Sequence, residues 1–415
     1  MSINNKYVPE IRFKVFEENW KPKKIGNKDV ASFYSGGTPA SSIKEFYDGE
    51  IPFIRSAEIH KSKTELYITT SGLENSSAKL VEKGCVLYAL YGATSGEVDL
   101  CQIEGGAINQ AILAIIPKTN YDANFLVQLL TREKSKILGK YLQGGQGNLS
   151  AEILKNIDFY FPKKDEQFHI SSFFSELNIF ISSTQQKLDK LRNIKKSSLN
   201  KMFPKNGAKI PEIRFEGFEG EWKEERLGSI GHIFTGLSGK TKEDFGHGDA
   251  EFITYMNIFS NPVANRRGTE NVEIDKTQTC VQYGDIFFTT SSETPNEVGM
   301  SSVWLFDEKN IYLNSFCFGY RLFKNIDPYY IAYFLRSYSF RKNMIVLAQG
   351  ISRYNITPKK VMDLFLLFPI EQEQKKIGEY FKHLDDLIML TEQKLKKLKN
   401  IKSACLDKMF VKMED

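Results

Sequence analysis

The sequence predicts an α+β fold: two mixed α/β globular domains joined by two long antiparallel coiled-coil helices, with an internal pseudo-two-fold repeat. Three observations predict this fold. The chain matches itself after about 200 of its 415 residues. Each copy ends in a long segment with helical periodicity, and short apolar runs typical of strands precede that segment. The length also suits two or three domains.

The repeat is clearest at the start of each copy. Val8-Pro-Glu-Ile-Arg-Phe13 recurs as Ile210-Pro-Glu-Ile-Arg-Phe215, and Trp20 recurs as Trp222. The offset between matched residues changes slightly along the chain, as small loop insertions in a duplicated unit would produce. We therefore expect the two halves to share one architecture.

Four segments follow from the repeat. We predict a first globular domain over residues 1–163, a helix over 164–203, a second globular domain over 204–370 and a second helix over 371–415. Within the globular domains, strands are predicted at Ile51–Ile54, Cys85–Tyr88, Ala111–Ile116, Phe252–Tyr255 and Asp285–Phe288, and helices at Ala123–Leu142 and Pro328–Leu347.

The two long helices are predicted from an apolar period of 3.5 residues, which is typical of a coiled coil. Each would be about 60 Å long. The seam of the first helix is Ile170, Phe174, Leu177, Ile181, Thr184, Leu188, Leu191, Lys195, Ser198 and Met202. The seam of the second is Ile377, Phe381, Leu384, Ile388, Thr391, Leu395, Leu398, Lys402, Cys405 and Met409.

The seam residues favour an antiparallel arrangement of the two helices. A parallel pair in register would crowd Phe174 against Phe381. An antiparallel pair with full overlap instead opposes Phe174 to Cys405 and Phe381 to Ser198, so that large side chains meet small ones. The alternatives are an ordinary buried helix bundle and a seam between copies of the chain.

The composition is that of a soluble globular protein, with 41% hydrophobic and 26% charged residues. No apolar run is long enough to span a bilayer, and the N-terminus lacks the pattern of a signal peptide. The five cysteines are scattered and form no CxxC pair, which predicts free thiols in the cytoplasm. A net charge of +5 does not by itself indicate nucleic-acid binding.

No catalytic or metal-binding motif is recognisable, so we predict a chain that is not an enzyme and holds no metal. Gly239-Lys240-Thr241 resembles the end of a phosphate-binding loop, but Phe234 occupies the required earlier glycine position. Asn261-Pro262-Val263 lacks the second proline and the aromatic residue of an amino-methyltransferase site. The five histidines show no ligand spacing.

Side chains that can read the edges of DNA bases lie in three loop regions of each copy, where glycines allow close backbone approach. In the first copy the candidates are Arg55, Ser56, Tyr91, Thr94, Ser95, Gln143, Gln146 and Asn148. In the second they are Tyr255, Asn257, Ser291, Ser292, Asn296, Gln349, Ser352, Arg353, Tyr354 and Asn355. Plain solvated loops are the alternative interpretation.

The two copies diverge unequally. The helix seams agree at every position except Ser198 and Cys405, whereas the loops differ. Helices that present one surface twice would dock two copies of one partner, and loops that differ would read different sequences. We therefore expect a bipartite, asymmetric DNA target with a spacer set by helix length; a homodimeric reader would require a palindrome. The basic distal ends of the helices could contact phosphates, dock a partner or simply be solvated.

The chain resembles the specificity subunit of type I restriction-modification enzymes. The resemblance covers nearly the whole chain and rests on the spacing of a set of short motifs, with Cys85 departing from the usual Asp. The motifs are Pro9-Glu-Ile-Arg-Phe13 with Trp20 and their repeat, Gly84 and Gly284-Asp285-Ile286, Asn148-Leu-Ser150 and Asn355-Ile-Thr357, and Pro162 and Pro369 followed by Glu166-Gln167 and Glu373-Gln374.

The resemblance implies two target recognition domains and a non-catalytic role. It implies that two modification (methyltransferase) subunits dock, bring S-adenosylmethionine and methylate an adenine at N6 in each half-site of double-stranded DNA. Restriction subunits would add ATP- and Mg²⁺-dependent translocation and cleavage. The main alternative is a coiled-coil scaffold that joins two proteins without reading DNA. A self-contained methyltransferase is disfavoured by the missing motifs.

Overall fold

A computed structural model describes residues 7–141, 149–205 and 207–412 of the chain. The chain divides into two compact units. Unit 1 comprises Met1–Gln185 and Lys394–Asp415, and unit 2 comprises Gln186–Gln393. Each unit therefore contains one globular region, the first part of one long helix and the last part of the other. Among the described residues, no helix is long and apolar enough to cross a membrane.

The globular region of unit 1 is a mixture of short strands and helices. The strands are β1 (Lys21–Lys24), β2 (Ala31–Ser35), β3 (Tyr47–Ile54), β4 (Leu66–Ile68), β5 (Lys79–Val81), β6 (Val86–Ala89), β7 (Val98–Leu100), β8 (Gly106–Ile108), β9 (Ile112–Pro117) and β10 (Asp158–Phe161). The helices are α1 (Thr70–Glu74), α2 (Ala123–Tyr141), α3 (Ala151–Lys155) and the long α4 (Lys164–Lys201). The sheet orders are β2-β9-β6-β7, β4-β3-β8-β5 and β1-β10.

Unit 2 repeats this plan. Its strands are β11 (Lys223–Arg226), β12 (Gly231–Thr235), β13 (Phe245–Ile253), β14 (Thr269–Val272), β15 (Ile286–Thr289), β16 (Ser291–Ser292), β17 (Ser301–Val303), β18 (Ile311–Leu313), β19 (Cys317–Leu322), β20 (Tyr354–Asn355) and β21 (Phe365–Phe368). Its helices are α5 (Leu227–Ile230), α6 (Tyr255–Ser260), α7 (Pro328–Phe334), α8 (Tyr338–Val346), α9 (Pro358–Val361) and the long α10 (Glu371–Lys408). The order β12-β19-β15-β17 reproduces β2-β9-β6-β7, which confirms the predicted internal repeat.

Two elements differ from the sequence-based prediction. The predicted single helix over 328–347 is two helices, α7 and α8, because Ser337 adopts extended backbone and caps α8 through the Phe340 N–H. The predicted strand over Phe252–Tyr255 ends at Ile253. There the Thr254 hydroxyl accepts a hydrogen bond from the Asn257 N–H and starts α6 instead.

The long helices run antiparallel, as predicted. In unit 2 the hydroxyls of Ser198 and Tyr380 are 2.9 Å apart, while Arg192 pairs with Glu392 at 2.6 Å. Residue numbers thus rise along α4 as they fall along α10. The seam residue Lys195 bonds to Asp385 of the other helix. The thirteen apolar seam residues named above from Ile170 to Leu398 are buried or half-buried.

A phenylalanine two residues beyond the end of each long helix lies in a globular core. In unit 2 the Phe203 ring stacks on Phe381, with ring centroids 5.6 Å apart, and meets Trp222 edge-on. Phe410 occupies the equivalent place in unit 1, against Trp20. The shared Lys-Met-Phe sequence therefore anchors the end of each helix by aromatic packing.

The repeated Pro-Glu-Ile-Arg-Phe motif joins the two helices within each unit. In unit 2 the Arg214 guanidinium donates to both carboxylate oxygens of Glu373 in the first turn of α10, at 2.8 and 2.7 Å. The neighbouring Ile213 N–H donates to the Lys201 carbonyl at the end of α4, at 3.0 Å. The motif therefore clamps the start of one helix to the end of the other. We call this arrangement the helix clamp.

Unit 1 has the same clamp. Arg12 donates to both oxygens of Glu166 at 2.7 Å, and the Ile11 N–H donates to the Lys408 carbonyl at 2.9 Å. The Trp20 indole N–H adds a 3.3 Å hydrogen bond to Glu166. The motif makes the same contacts in both units, between segments that are far apart in sequence. The clamp therefore explains why this short motif recurs in both copies.

Candidate nucleic-acid interface

Unit 2 brings its three predicted loop regions together. The Tyr255 hydroxyl of the first region donates to the Ser291 carbonyl of the second at 2.7 Å. Ser291 and Ser292 pair with Asn355 and Tyr354 of the third region in the β16–β20 ladder. The sequence offered no contact between these regions; one side-chain hydrogen bond and one backbone ladder provide it.

The third region is a hairpin whose tip carries polar side chains into solvent. Gln349 and Asn355 exchange two backbone hydrogen bonds of 2.9 and 2.8 Å, so the backbone on both sides of the tip is fixed. The side chains of Gln349, Ser352, Arg353 and Asn355 are exposed, as is that of Asn296 in the second region. Tyr255, Ser291 and Tyr354 are half-buried, and Ser292 is buried. These exposed polar side chains can offer the hydrogen-bond donors and acceptors that base edges require.

Asn257 has a different position from the other candidates. Its side chain is buried, and its amide nitrogen donates to the carbonyls of Asn265 and Gly268 at 2.7 and 2.9 Å. Its amide oxygen accepts hydrogen bonds from the Asn265 N–H and the Asn261 side chain. All four hydrogen-bonding positions of the amide are filled. The geometry supports a role in holding the 261–268 loop; a base contact would require these bonds to break.

In unit 1 the equivalent regions carry different side chains. Arg55 is half-exposed and bonds to the carboxylates of Glu58 and Glu65, at 3.0 and 2.6 Å; its neighbour Ser56 is also half-exposed. In the second region the Tyr91 hydroxyl donates to the Gln110 carbonyl. Two further candidates of this region, Thr94 and Ser95, are half-buried and buried. The predicted Gln143, Gln146 and Asn148 lie outside the described residues.

The sequence matches a known domain twice. The family described as the type I restriction modification DNA specificity domain matches residues 17–193 and again residues 219–400. These two regions cover most of the chain and fall one on each copy of the repeat. The chain belongs to this family.

Individual relatives agree with the assignment. The chain is 26% identical over 252 residues to the MjaIX specificity subunit of a type I restriction enzyme from Methanocaldococcus jannaschii, covering 54% of this chain and 55% of that one. It thus spans about half the length of that relative. To the MjaVIII specificity subunit of the same organism it is 21% identical over 420 residues, covering 94% and 92% of the two chains.

The fold is similar to that of a solved specificity subunit. The crystal structure of the type I restriction-modification S subunit from M. genitalium superposes with a TM-score of 0.59, covering 98% of this chain and all of that one, at 16% identity. A second structure, from work on assembly of the type I R-M system, superposes with a TM-score of 0.56 at 15% identity. At these sequence identities, the two comparisons show a similarity of fold only.

Two arginines that the sequence did not single out position the loops of the second specificity domain. Arg341 of α8 donates to the carbonyls of Asn296, Val298 and Gly299 at distances between 2.6 and 3.0 Å. Arg336 donates to the Ser301 carbonyl at 2.8 Å and to two carbonyls of the 258–261 segment. Burial lowers the pKa of Arg336 to about 9 and that of Arg341 to about 10. Both are committed to backbone carbonyls, so we assign them a positioning role.

In the first specificity domain, His60 links the segment that follows the first region to the segment that follows the second. Its imidazole lies 2.8 Å from an Asp99 oxygen and 3.1 Å from a Glu97 oxygen. Partial burial lowers the pKa of His60, but the hydrogen bonds to Asp99 and Glu97 outweigh burial and raise it above the ordinary value of 6.5. The protonated ring is therefore favoured by folding.

This shift predicts a pH-dependent stabilisation. Because the folded pKa is raised, the contribution of His60 is fully present below about 6.5 and is lost as the pH rises through the folded value. We expect the difference in Tm between the wild type and His60→Ala to shrink over that range. Thermal unfolding of both proteins at a series of pH values measures it. A difference that grows with pH would contradict the assignment.

Proposed function

We propose that this chain is the DNA-reading subunit of a type I restriction-modification complex, in which each specificity domain reads one half of an asymmetric bipartite target. The observation that carries the proposal is a shared backbone that carries different side chains in the two units. In unit 2 the Ile356 N–H donates to the Thr290 carbonyl, and in unit 1 the Leu149 N–H donates to the Leu90 carbonyl, both at 3.0 Å. Different loops on one framework suit the reading of two sequences.

The helices would fix the distance between the two half-sites. Each long helix begins in one unit and ends in the other, so its length is the simplest determinant of the spacer. We propose that α4 and α10 set the spacer together, because the two helices, Lys164–Lys201 and Glu371–Lys408, are of equal length.

The helices also offer a repeated surface for partner proteins. Phe180 and Ile194 of α4 are exposed apolar residues, and so are Leu387 and Ile401 at the matching positions of α10. Exposed apolar side chains repeated in this way suit the docking of two copies of one partner. We propose that the partners are two modification subunits, which bring S-adenosylmethionine and methylate an adenine at N6 in each half-site.

Restriction subunits would join the same complex and use ATP and Mg²⁺ for translocation and cleavage. In this proposal the cofactors belong to the partner subunits, and the chain itself contributes recognition alone. Among the described residues, no group of three or more His, Cys, Asp or Glu side chains could hold a metal ion.

An electrophoretic shift with the purified complex tests DNA reading. We expect the complex to retain one target in the presence of excess competitor DNA at moderate salt, because base contacts survive where phosphate contacts are weakened. The coiled-coil scaffold, our alternative, predicts assembly with the same partners but no preferred DNA. If the complex shows no preferred DNA site, the proposed DNA-reading function is ruled out.

Exchanging residues 222–368 for the corresponding domain of another family member tests modular reading. We expect one half-site to change completely and the other to stay the same, because the two units have separate hydrophobic cores. Mapping of methylated adenines across a host genome that expresses the chimaera measures both half-sites at once. A change in both half-sites would refute the modular assignment.

A further inference from the structure

A fourth loop, which no sequence motif marks, lies beside the three candidate loop regions of unit 2. It is the turn Asn314–Phe316 between β18 and β19. The Asn314 side chain accepts a 2.9 Å hydrogen bond from the Phe316 N–H and donates one of 2.9 Å to the Ile253 carbonyl. The Phe316 carbonyl accepts from both the N–H and the hydroxyl of Thr290, at 3.1 and 2.8 Å. The turn is thus fixed from both sides.

This turn holds an aromatic ring in solvent. The Phe316 side chain is 64% exposed, although its backbone is tied to Thr290, the residue before the ladder that joins the second and third regions. Two other strongly exposed apolar side chains, Met256 at 61% and Ile351 at 96%, belong to segments bonded to the same ladder. A single exposed apolar residue needs no explanation, but several on the joined loops of one polar surface indicate a binding site.

The same turn occurs in unit 1 without the ring. There the Asn109 side chain accepts a 3.0 Å hydrogen bond from the Ala111 N–H, and the Ala111 carbonyl accepts from the Leu90 N–H at 2.8 Å. Alanine therefore stands where unit 2 has Phe316. The backbone does not need the aromatic ring, so packing does not account for it.

We propose that Phe316 is a specificity-determining residue that contacts the 5-methyl group of a thymine in the half-site read by unit 2. This inference rests on the proposed function. The thymine methyl is the apolar group that base pairs present in the major groove, and apolar side chains including Phe are its usual partners. Exposed polar neighbours on the joined hairpin, such as Arg353, suit the donors and acceptors of adjacent bases. A rigid turn keeps the entropic cost of the contact low.

Deoxyuridine substitution tests the contact directly, because it removes the methyl group alone. The target of the wild-type complex is first mapped, and each thymine of the second half-site is then replaced in turn by deoxyuridine. At one position we expect the affinity of the wild-type complex to fall about fourfold, the equivalent of one buried methyl group. The complex with Phe316→Ala should bind both DNAs equally. The alanine at the matching turn of unit 1 indicates that this variant folds.

The control is Phe323→Ala. Phe323 directly follows β19 as Phe316 directly precedes it, and it is 69% exposed with its ring stacked on His232. Its complex should show the same deoxyuridine effect as the wild type.

A mapped target whose second half-site is insensitive to every such replacement, or contains no thymine, overturns the assignment of Phe316 alone. A wild-type complex with no preferred target overturns the proposed function and this inference with it. If Phe316 instead wedges between bases, Phe316→Ala weakens binding while deoxyuridine has no effect, which also overturns the methyl contact.

Discussion

Replacing Arg214 by alanine should lower the free energy of unfolding by about 3–5 kcal/mol, because it leaves the Glu373 carboxylate buried without its partner. The Glu373 side chain is fully buried, and Arg214 supplies both of its charge-assisted hydrogen bonds of the helix clamp. The loss of stability should be greatest at the start of α10, where that carboxylate lies. Denaturant unfolding of the full chain measures the total effect, and hydrogen exchange of the first turn of α10 measures the local one.

A matched control is available in the same unit. Arg226 pairs with Asp363, but both side chains are more than half exposed, so Arg226→Ala should change stability by less than about 1 kcal/mol. Adding Glu373→Gln to Arg214→Ala should recover part of the loss, since the buried charge is then removed. A loss for Arg214→Ala no larger than that of Arg226→Ala would show that the helix clamp does not stabilise the chain.

The clamp also shows what the sequence could and could not predict. The recurrence of the Pro-Glu-Ile-Arg-Phe motif was visible, and it correctly indicated a duplicated architecture. Its physical role was not visible, because Arg214 meets Glu373 at a separation of 159 residues and no local pattern pairs them. The antiparallel order of the helices was predictable because a regular seam period fixes which side chains oppose each other, and their sizes can then be compared.

The loops were less predictable for the same reason. Residue type correctly suggested polar loops, but it cannot separate a side chain that faces solvent from one committed to its own loop. Asn257 and Arg353 were selected by one criterion, yet the first is buried with its amide satisfied and the second is exposed. Phe316 was not selected, because the criterion was a side chain that can donate to or accept from the edges of bases. Only the tertiary structure shows that its ring is exposed to solvent.

Lengthening both long helices should move the two half-sites apart without changing either of them. One turn of helix adds about 5.4 Å, which corresponds to between one and two base pairs of DNA. Four residues would be inserted between Ser182 and Lys187 of α4 and at the matching place between Met389 and Lys394 of α10. These places bracket the boundaries between the units, so neither globular core is touched. We expect methylation mapping to show the original half-sites with a longer spacer and no methylation at the original target.

Two further variants make this test specific to helix length. Inserting four residues into α4 alone leaves its apolar seam mismatched with the unchanged seam of α10. We therefore expect loss of stability and of target methylation, and no new spacer. Inserting seven residues into both helices preserves the apolar repeat and should lengthen the spacer by about three base pairs. Alanine substitutions over Ser182–Thr184, which leave the length unchanged, should leave the spacer unchanged. If the spacer stays constant in both lengthened proteins while both half-sites are still methylated, the helices do not set it, and the distance between the half-sites must come from the partner subunits.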